Sequence, residues 1–193
     1  MSLGLSALAG HTVIYGGSFN PPHLGHQMGC LYLLEGLGAE VVWLMPVFAH
    51  PFGKAVESFG HRAAMCRLLA SPFGERVVVS EIERELGGQS RTYDTLVHLC
   101  AAHPARRFAL AIGADNLDEL PRWHRFAELE ALLPIVVVGR SGYANAGLAA
   151  IDLPAVASRE LRARVARGES LLGLVPETVA DYVAKNRLFR DGA

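Results

Sequence analysis

The feature that most limits how this chain can fold is an alternation of two periodicities. Short apolar runs suited to strands occupy residues 11–15, 40–45, 76–80, 108–112 and 135–138, and helix-patterned stretches at 24–37, 59–70 and 92–101 lie between the first four. Strands that alternate with helices in this way imply an α/β fold with a mostly parallel sheet and helices on both faces. Residues 139–145 read as a loop, 146–154 as a strand or linker, and 158–166 and 176–185 as helices, which gives the chain a helical C-terminal part. Ser158 is suited to cap the first of these two helices. At 193 residues, half of them apolar, one domain with one well-buried core is the simplest organisation. Residues 1–10 lack the positive charge of a signal peptide and are expected to be a frayed leader.

The turn after the first strand carries the chemistry. Residues 15–26 read Tyr-Gly-Gly-Ser-Phe-Asn-Pro-Pro-His-Leu-Gly-His and join a strand to a helix. Ligands of open α/β sheets bind where strand carboxyl ends meet helix amino ends. Gly16 and Gly17 allow close approach of a phosphate, and either could take a positive φ. Pro21 and Pro22 stiffen the entry to the helix, whose first N–H groups and dipole favour an anion. His23 and His26, three apart, project from one face of the first helical turn toward that spot. The plain alternatives are a tight connection with two surface histidines, or a zinc pair. Zinc would need further ligands, and neither Cys-x-x-Cys nor His-Glu-x-x-His is present to supply them.

With 18 basic and 19 acidic residues, the chain offers no extended surface for nucleic acid or acidic membranes, so an anion site must be local. No run is long enough to cross a bilayer. Cys30, Cys66 and Cys100 are odd in number and widely spaced, which reads as reduced thiols in a cytoplasmic protein.

Taken together, Gly16-Gly17-Ser18-Phe19-Asn20-Pro21-Pro22-His23-Leu24-Gly25-His26 resembles the signature of the nucleotidyltransferase superfamily, and further stretches resemble its bacterial nicotinate-nucleotide adenylyltransferases. These are Ser90-Arg91-Thr92-Tyr93-Asp94, Ile112-Gly113-Ala114-Asp115-Asn116, Leu120-Pro121-Arg122-Trp123-His124, and 174–182, in the family's order over nearly the whole chain. The resemblance implies a Rossmann-like domain that transfers AMP from ATP to nicotinic acid mononucleotide and releases pyrophosphate. It implies catalytic roles for His23, His26, Lys54 and Arg162, with Gly16, Gly17, Ser18, Phe19, Asn20, Asp115 and Ser158 at ATP. It places Thr92, Trp123 and Arg91 at the acceptor, Trp123 stacking on the pyridine ring. Mg²⁺ is expected to arrive with ATP, since no carboxylate cage is evident. No protein nucleophile is needed for such a transfer, because positioning and charge stabilisation can supply the rate.

The chain departs from the family pattern at three places. Where relatives usually show Pro-Pro-His-Lys, it has His50-Pro51-Phe52-Gly53-Lys54; the late helix starts Ala157-Ser158-Arg159 with fewer hydroxyls; and Arg91 replaces an aromatic residue. These differences touch the acceptor end and the triphosphate clamp. Nicotinamide mononucleotide or phosphopantetheine as acceptor, and a nucleotide-binding module without turnover, therefore remain alternatives. Asp115 and Thr92 could instead cap helices, Trp123 could be a core aromatic, and Lys54 and Arg91 could be solvated.

Overall fold

A computed structural model describes residues 7–49, 56–88, 91–139, 153 and 156–190. Five strands, β1 (His11–Gly17), β2 (Val41–Pro46), β3 (Val77–Val79), β4 (Arg107–Gly113) and β5 (Ile135–Val138), form one sheet in the order β3-β2-β1-β4-β5. Every pairing is parallel, with Ile14 opposite Trp43 on one side and Leu110 on the other. This is the parallel α/β sheet expected from the alternation, and the Rossmann-like domain that the resemblance implied. From β1 the chain winds outward through β2 and β3, then returns to the other side of β1 for β4 and β5. The reversal opens a crevice between the carboxyl ends of β1 and β4.

The helices are α1 (Leu24–Leu31), α2 (Phe59–Ala70), α3 (Ile82–Leu86), α4 (Thr92–Ala102), α5 (Phe126–Leu132), α6 (Ser158–Ala166) and α7 (Glu177–Lys185). The expected helix over 24–37 changes step after Leu31 to a π turn, Tyr32–Gly36, closed by Leu37 N–H to Tyr32 O at 3.0 Å. The short helix α3 and the helix α5 stand in stretches where the apolar periodicity was too brief to announce them. Two 3₁₀ segments, Ser71–Arg76 and Ala114–Arg122, lead into β3 and out of β4.

Strand alternation divides the interior in two. Val13, Tyr15, Val42, Leu44, Ala109 and Ala111 face a core completed by Cys30, Leu33 and Leu34, by Met65, Cys66 and Leu69 of α2, and by Leu161, Val179 and Val183 of the last helices. Ile14, Met45, Phe108, Leu110 and Ile112 face the other, with Leu96 and Leu99 of α4 and Leu129 of α5. The expected C-terminal helices are thus part of the first core. Burial pushes the Cys30 thiol up to about 12 and the Cys66 thiol higher still, so neither is ionised at neutral pH. No helix among the described residues is long and apolar enough to cross a membrane.

The opening residues differ from expectation. Residues 1–6 lie outside the described set, but Leu8 is only 2 % exposed, its N–H bonds Leu37 O at 2.9 Å, and Ala9 bridges Ala39. A leucine at this position has apolar surface to bury in the first core, which outweighs the entropy of a free end. Leu8→Ala should therefore lower stability by about 2–5 kcal/mol. Urea unfolding checks this, and an unchanged midpoint would return residues 7–10 to a frayed leader.

Candidate active site

The signature turn sits at the mouth of the crevice, and its backbone differs from the expected form. Neither Gly16 nor Gly17 takes a positive φ; they finish β1, and the left-handed residue is Phe19, φ 47°. The absent side chain at Gly17 serves Phe19 instead, because a Cβ there would come within 3.2 Å of the Phe19 ring. That ring is buried and meets the His26 ring edge-on, centroids 4.9 Å apart.

His23 is the N-cap of α1, and His26 is the third residue of the helix. The His23 N–H donates to Nδ1 of His26 at 3.1 Å, and the two rings lie 3.8 Å apart, centroid to centroid. An acceptor nitrogen carries no proton, so neutral His26 holds its hydrogen on Nε2. His26 is thereby set as a donor on the edge away from the helix backbone. The helix amino terminus is less open than expected, since the Leu24 N–H donates to Leu174 O at 3.0 Å.

Three carbonyls of the turn are held from elsewhere. Arg62 Nη1 donates to Ser18 O at 3.0 Å, Arg162 Nη1 to Asn20 O at 2.8 Å, and Ser158 Oγ to Pro21 O at 2.9 Å. Ser158 is the first residue of α6, not its cap, which is Ala157. Already inside the helix, Ser158 leaves its hydroxyl to donate to the turn's carbonyl. Arg162 is half-buried, and burial together with the Arg159 charge holds its guanidinium below the usual arginine value. An arriving anion would relieve both effects. The Asn20 side chain faces inward, its Oδ1 accepting from the Glu57 N–H at 3.1 Å.

Asp115 stands second in the 3₁₀ segment leaving β4, beside the same crevice. Arg91 is exposed and forms the N-cap of α4, with Thr92 as first helical residue, so Thr92 does not cap. Trp123 ends the 3₁₀ segment half-buried against the second core. The Arg125 guanidinium lies 4.2 Å over the Tyr93 ring and His124 Nε2 is 3.9 Å from Asp94, which joins the Arg91–Thr92 region to Trp123. Lys54, with the rest of His50-Pro51-Phe52-Gly53, lies outside the described residues.

Sequence reasoning passed over Arg62, Glu57 and Glu83. The signal was present: Arg62 falls on the stripe with Met65, Cys66 and Leu69, and a charge on a core-facing stripe of a helix needs buried partners.

A parallel sheet with a strand-to-helix turn and paired histidines at its switch point defines a nucleotide-binding α/β protein. The chain belongs to the cytidylyltransferase-like family, whose model matches residues 14–173. It is 47% identical over 180 residues to an Anaeromyxobacter dehalogenans (strain 2CP-C) protein named "Probable nicotinate-nucleotide adenylyltransferase", covering 92% of this chain and 95% of that one. A Myxococcus xanthus protein of the same name is 41% identical, covering 91% and 93%. Among solved structures, the nicotinic acid mononucleotide adenylyltransferase of Plasmodium falciparum complexed with NaAD has the same fold. It matches with a TM-score of 0.79 at 18% identity, over 93% of this chain and 97% of that one.

His26→Ala should lower kcat and kcat/KM together by about two to three orders of magnitude, the usual cost of one lost donor to developing charge. If His26 only packs the turn, the variant melts earlier yet keeps its turnover. Thermal melting and steady-state kinetics on one preparation separate the two.

Proposed function

We propose that this chain transfers the adenylyl group of ATP to nicotinic acid mononucleotide, forming nicotinic acid adenine dinucleotide and pyrophosphate, as one step of NAD biosynthesis in the cytoplasm. The observation that carries the reaction type is the His26 ring, fixed by the His23 N–H as an Nε2 donor at the amino end of α1. The acceptor follows the names of the relatives that align along nearly the whole chain. Buried reduced thiols and balanced charge support the cytoplasmic location.

In this reading a phosphate oxygen of the mononucleotide attacks the α-phosphorus of ATP. The bond from that phosphorus to the bridging oxygen breaks, and the electron pair leaves with pyrophosphate. His26 donates where that charge grows, so its contact strengthens toward the transition state. His23, Arg162 and the backbone of Gly16, Gly17, Ser18, Phe19 and Asn20 hold the polyphosphate. Ser158 acts on ATP through the turn it braces, and Asp115 meets the nucleotide. Lys54 supplies a further cation from the second loop. Trp123, Arg91 and Thr92 receive the acceptor, Arg91 facing its carboxylate. The described side chains at the turn offer imidazole and guanidinium nitrogens, which suit phosphate oxygens and not a hard cation; Mg²⁺ therefore enters as part of the substrate, on the triphosphate.

A pyrophosphate-release assay with ATP, Mg²⁺ and a panel of acceptors tests the reading. Nicotinic acid mononucleotide should give the highest kcat/KM, above its amide and above phosphopantetheine, because a carboxylate without a partner in a closed site is disfavoured and Arg91 supplies one. Equal values, or a preference for the amide, would overturn the acceptor. ATP binding without turnover on any acceptor would favour a binding module.

A further inference from the structure

Arg62 is the largest side chain in the interior with less than 2 % of its surface exposed, and its side chain reaches three separate segments of backbone. Nε donates to Glu57 O at 2.8 Å and Nη1 to Ser18 O at 3.0 Å, while Nη2 stands 3.5 Å from Phe48 O, at the outer limit of a hydrogen bond. Ser18 belongs to the signature turn. Phe48 and Glu57 lie near the two ends of the connection between β2 and α2. The same segments are tied by further bonds: Val47 N–H to Gly17 O at 3.0 Å, Glu57 N–H to Asn20 Oδ1 at 3.1 Å, and Phe48 N–H to Glu83 Oε2 at 2.9 Å.

Burial pulls the Arg62 guanidinium below its usual value, and the nearby Glu83 and Glu57 carboxylates act in the opposite sense. Glu83 is itself 4 % exposed. Charges placed this deep contribute little net stability compared with apolar residues of similar size. What they contribute here is direction: the planar fork of Arg62 fixes the carbonyls it meets at set distances and angles, and Glu83 holds the N–H of Phe48, whose carbonyl faces Arg62.

From this geometry we infer that Arg62, supported by Glu83, is a positioning residue for adenylyl transfer. It acts through Ser18, Phe48 and Glu57, holding the phosphate-binding turn and the residues that follow β2 and precede α2 in one register, and touches no substrate itself. The inference rests on the proposed function. Displacements of about 1 Å in groups that align reactants can cost on the order of 10²-fold in rate.

The test compares Arg62→Met, Arg62→Lys and Glu83→Gln with Met65→Ala, a truncation one turn along α2 that loosens the core without touching the network. All are assayed well below their melting midpoints, with kcat expressed per folded molecule. Arg62→Met should lose on the order of 10²-fold in kcat, with a smaller rise in KM for ATP. Arg62→Lys should recover part of the loss, and Glu83→Gln should show a smaller loss in the same direction. Met65→Ala should melt earlier and keep its kcat. Near-parental kcat in Arg62→Met, or an equal kcat loss in Met65→Ala, would overturn the inference. If Arg62→Met does not fold, Arg62→Lys decides by the same criterion. A parent inactive with ATP and nicotinic acid mononucleotide would count against the proposed function instead. The variants are then read by affinity for a non-hydrolysable ATP analogue, weakened by Arg62→Met and unchanged by Met65→Ala if the inference holds.

Discussion

The site depends on how the backbone carbonyls of one turn are satisfied. Between Gly17 and His23 the chain can form neither a ladder nor a helix, because Phe19 is left-handed and Pro21 and Pro22 carry no N–H. Buried carbonyls left there would each cost free energy comparable to a lost hydrogen bond. Three donors from two helices meet them: Arg62 from α2, and Ser158 and Arg162 from α6. A phosphate site on such a turn is therefore only as rigid as the packing of those helices. This gives the helical C-terminal part a role at the site, since α6 and α7 close the first core and bring two of the three donors to the turn.

The arrangement sets a charge problem that the ligand helps to solve. Arg62 is enclosed with two carboxylates acting on it, while Arg162 lies within reach of the Arg159 charge at the start of α6. The first is balanced inside the protein and serves geometry. The second lies beside the crevice, where partial burial and a like charge both disfavour the cation, so a polyphosphate arriving there is bound more strongly than at an isolated surface arginine. Both arginines bond the same short stretch of backbone, Arg62 at Ser18 O and Arg162 at Asn20 O, and under the proposed function the second would also draw the anion to it.

Much of the fold was legible in the residues. The five strands and the helix over Phe59–Ala70 follow the apolar periodicities to within a residue or two, because the inner strands are buried on both faces and read as apolar runs. Less was legible where tertiary contacts overrule local pattern. Leu8 looks like leader sequence and is buried in the first core. The glycines of the turn looked like the residues of unusual φ, yet Phe19 takes that conformation because its ring is accommodated between Gly17, Tyr15 and His26. The positions of His23 and His26 could be read from spacing; the bond that sets the His26 tautomer could not. Arg62 was visible only as a charge on a core-facing stripe, with partners on three segments distant in sequence.

The altered start of α6 follows from the same backbone demand. At Ala157-Ser158-Arg159 the hydroxyl that remains donates to Pro21 O, so Ser158 maintains the shape of the turn before it can serve any ligand. A helix start with fewer hydroxyls has fewer neutral donors to offer a phosphate, but here it carries Arg159 one residue on and Arg162 one turn on. Charged donors to phosphate are roughly twice as strong as neutral ones. Under the proposed function, a helix start that carries these two guanidinium groups and one serine bracing the turn would bind polyphosphate chiefly through charge, a term that salt screens.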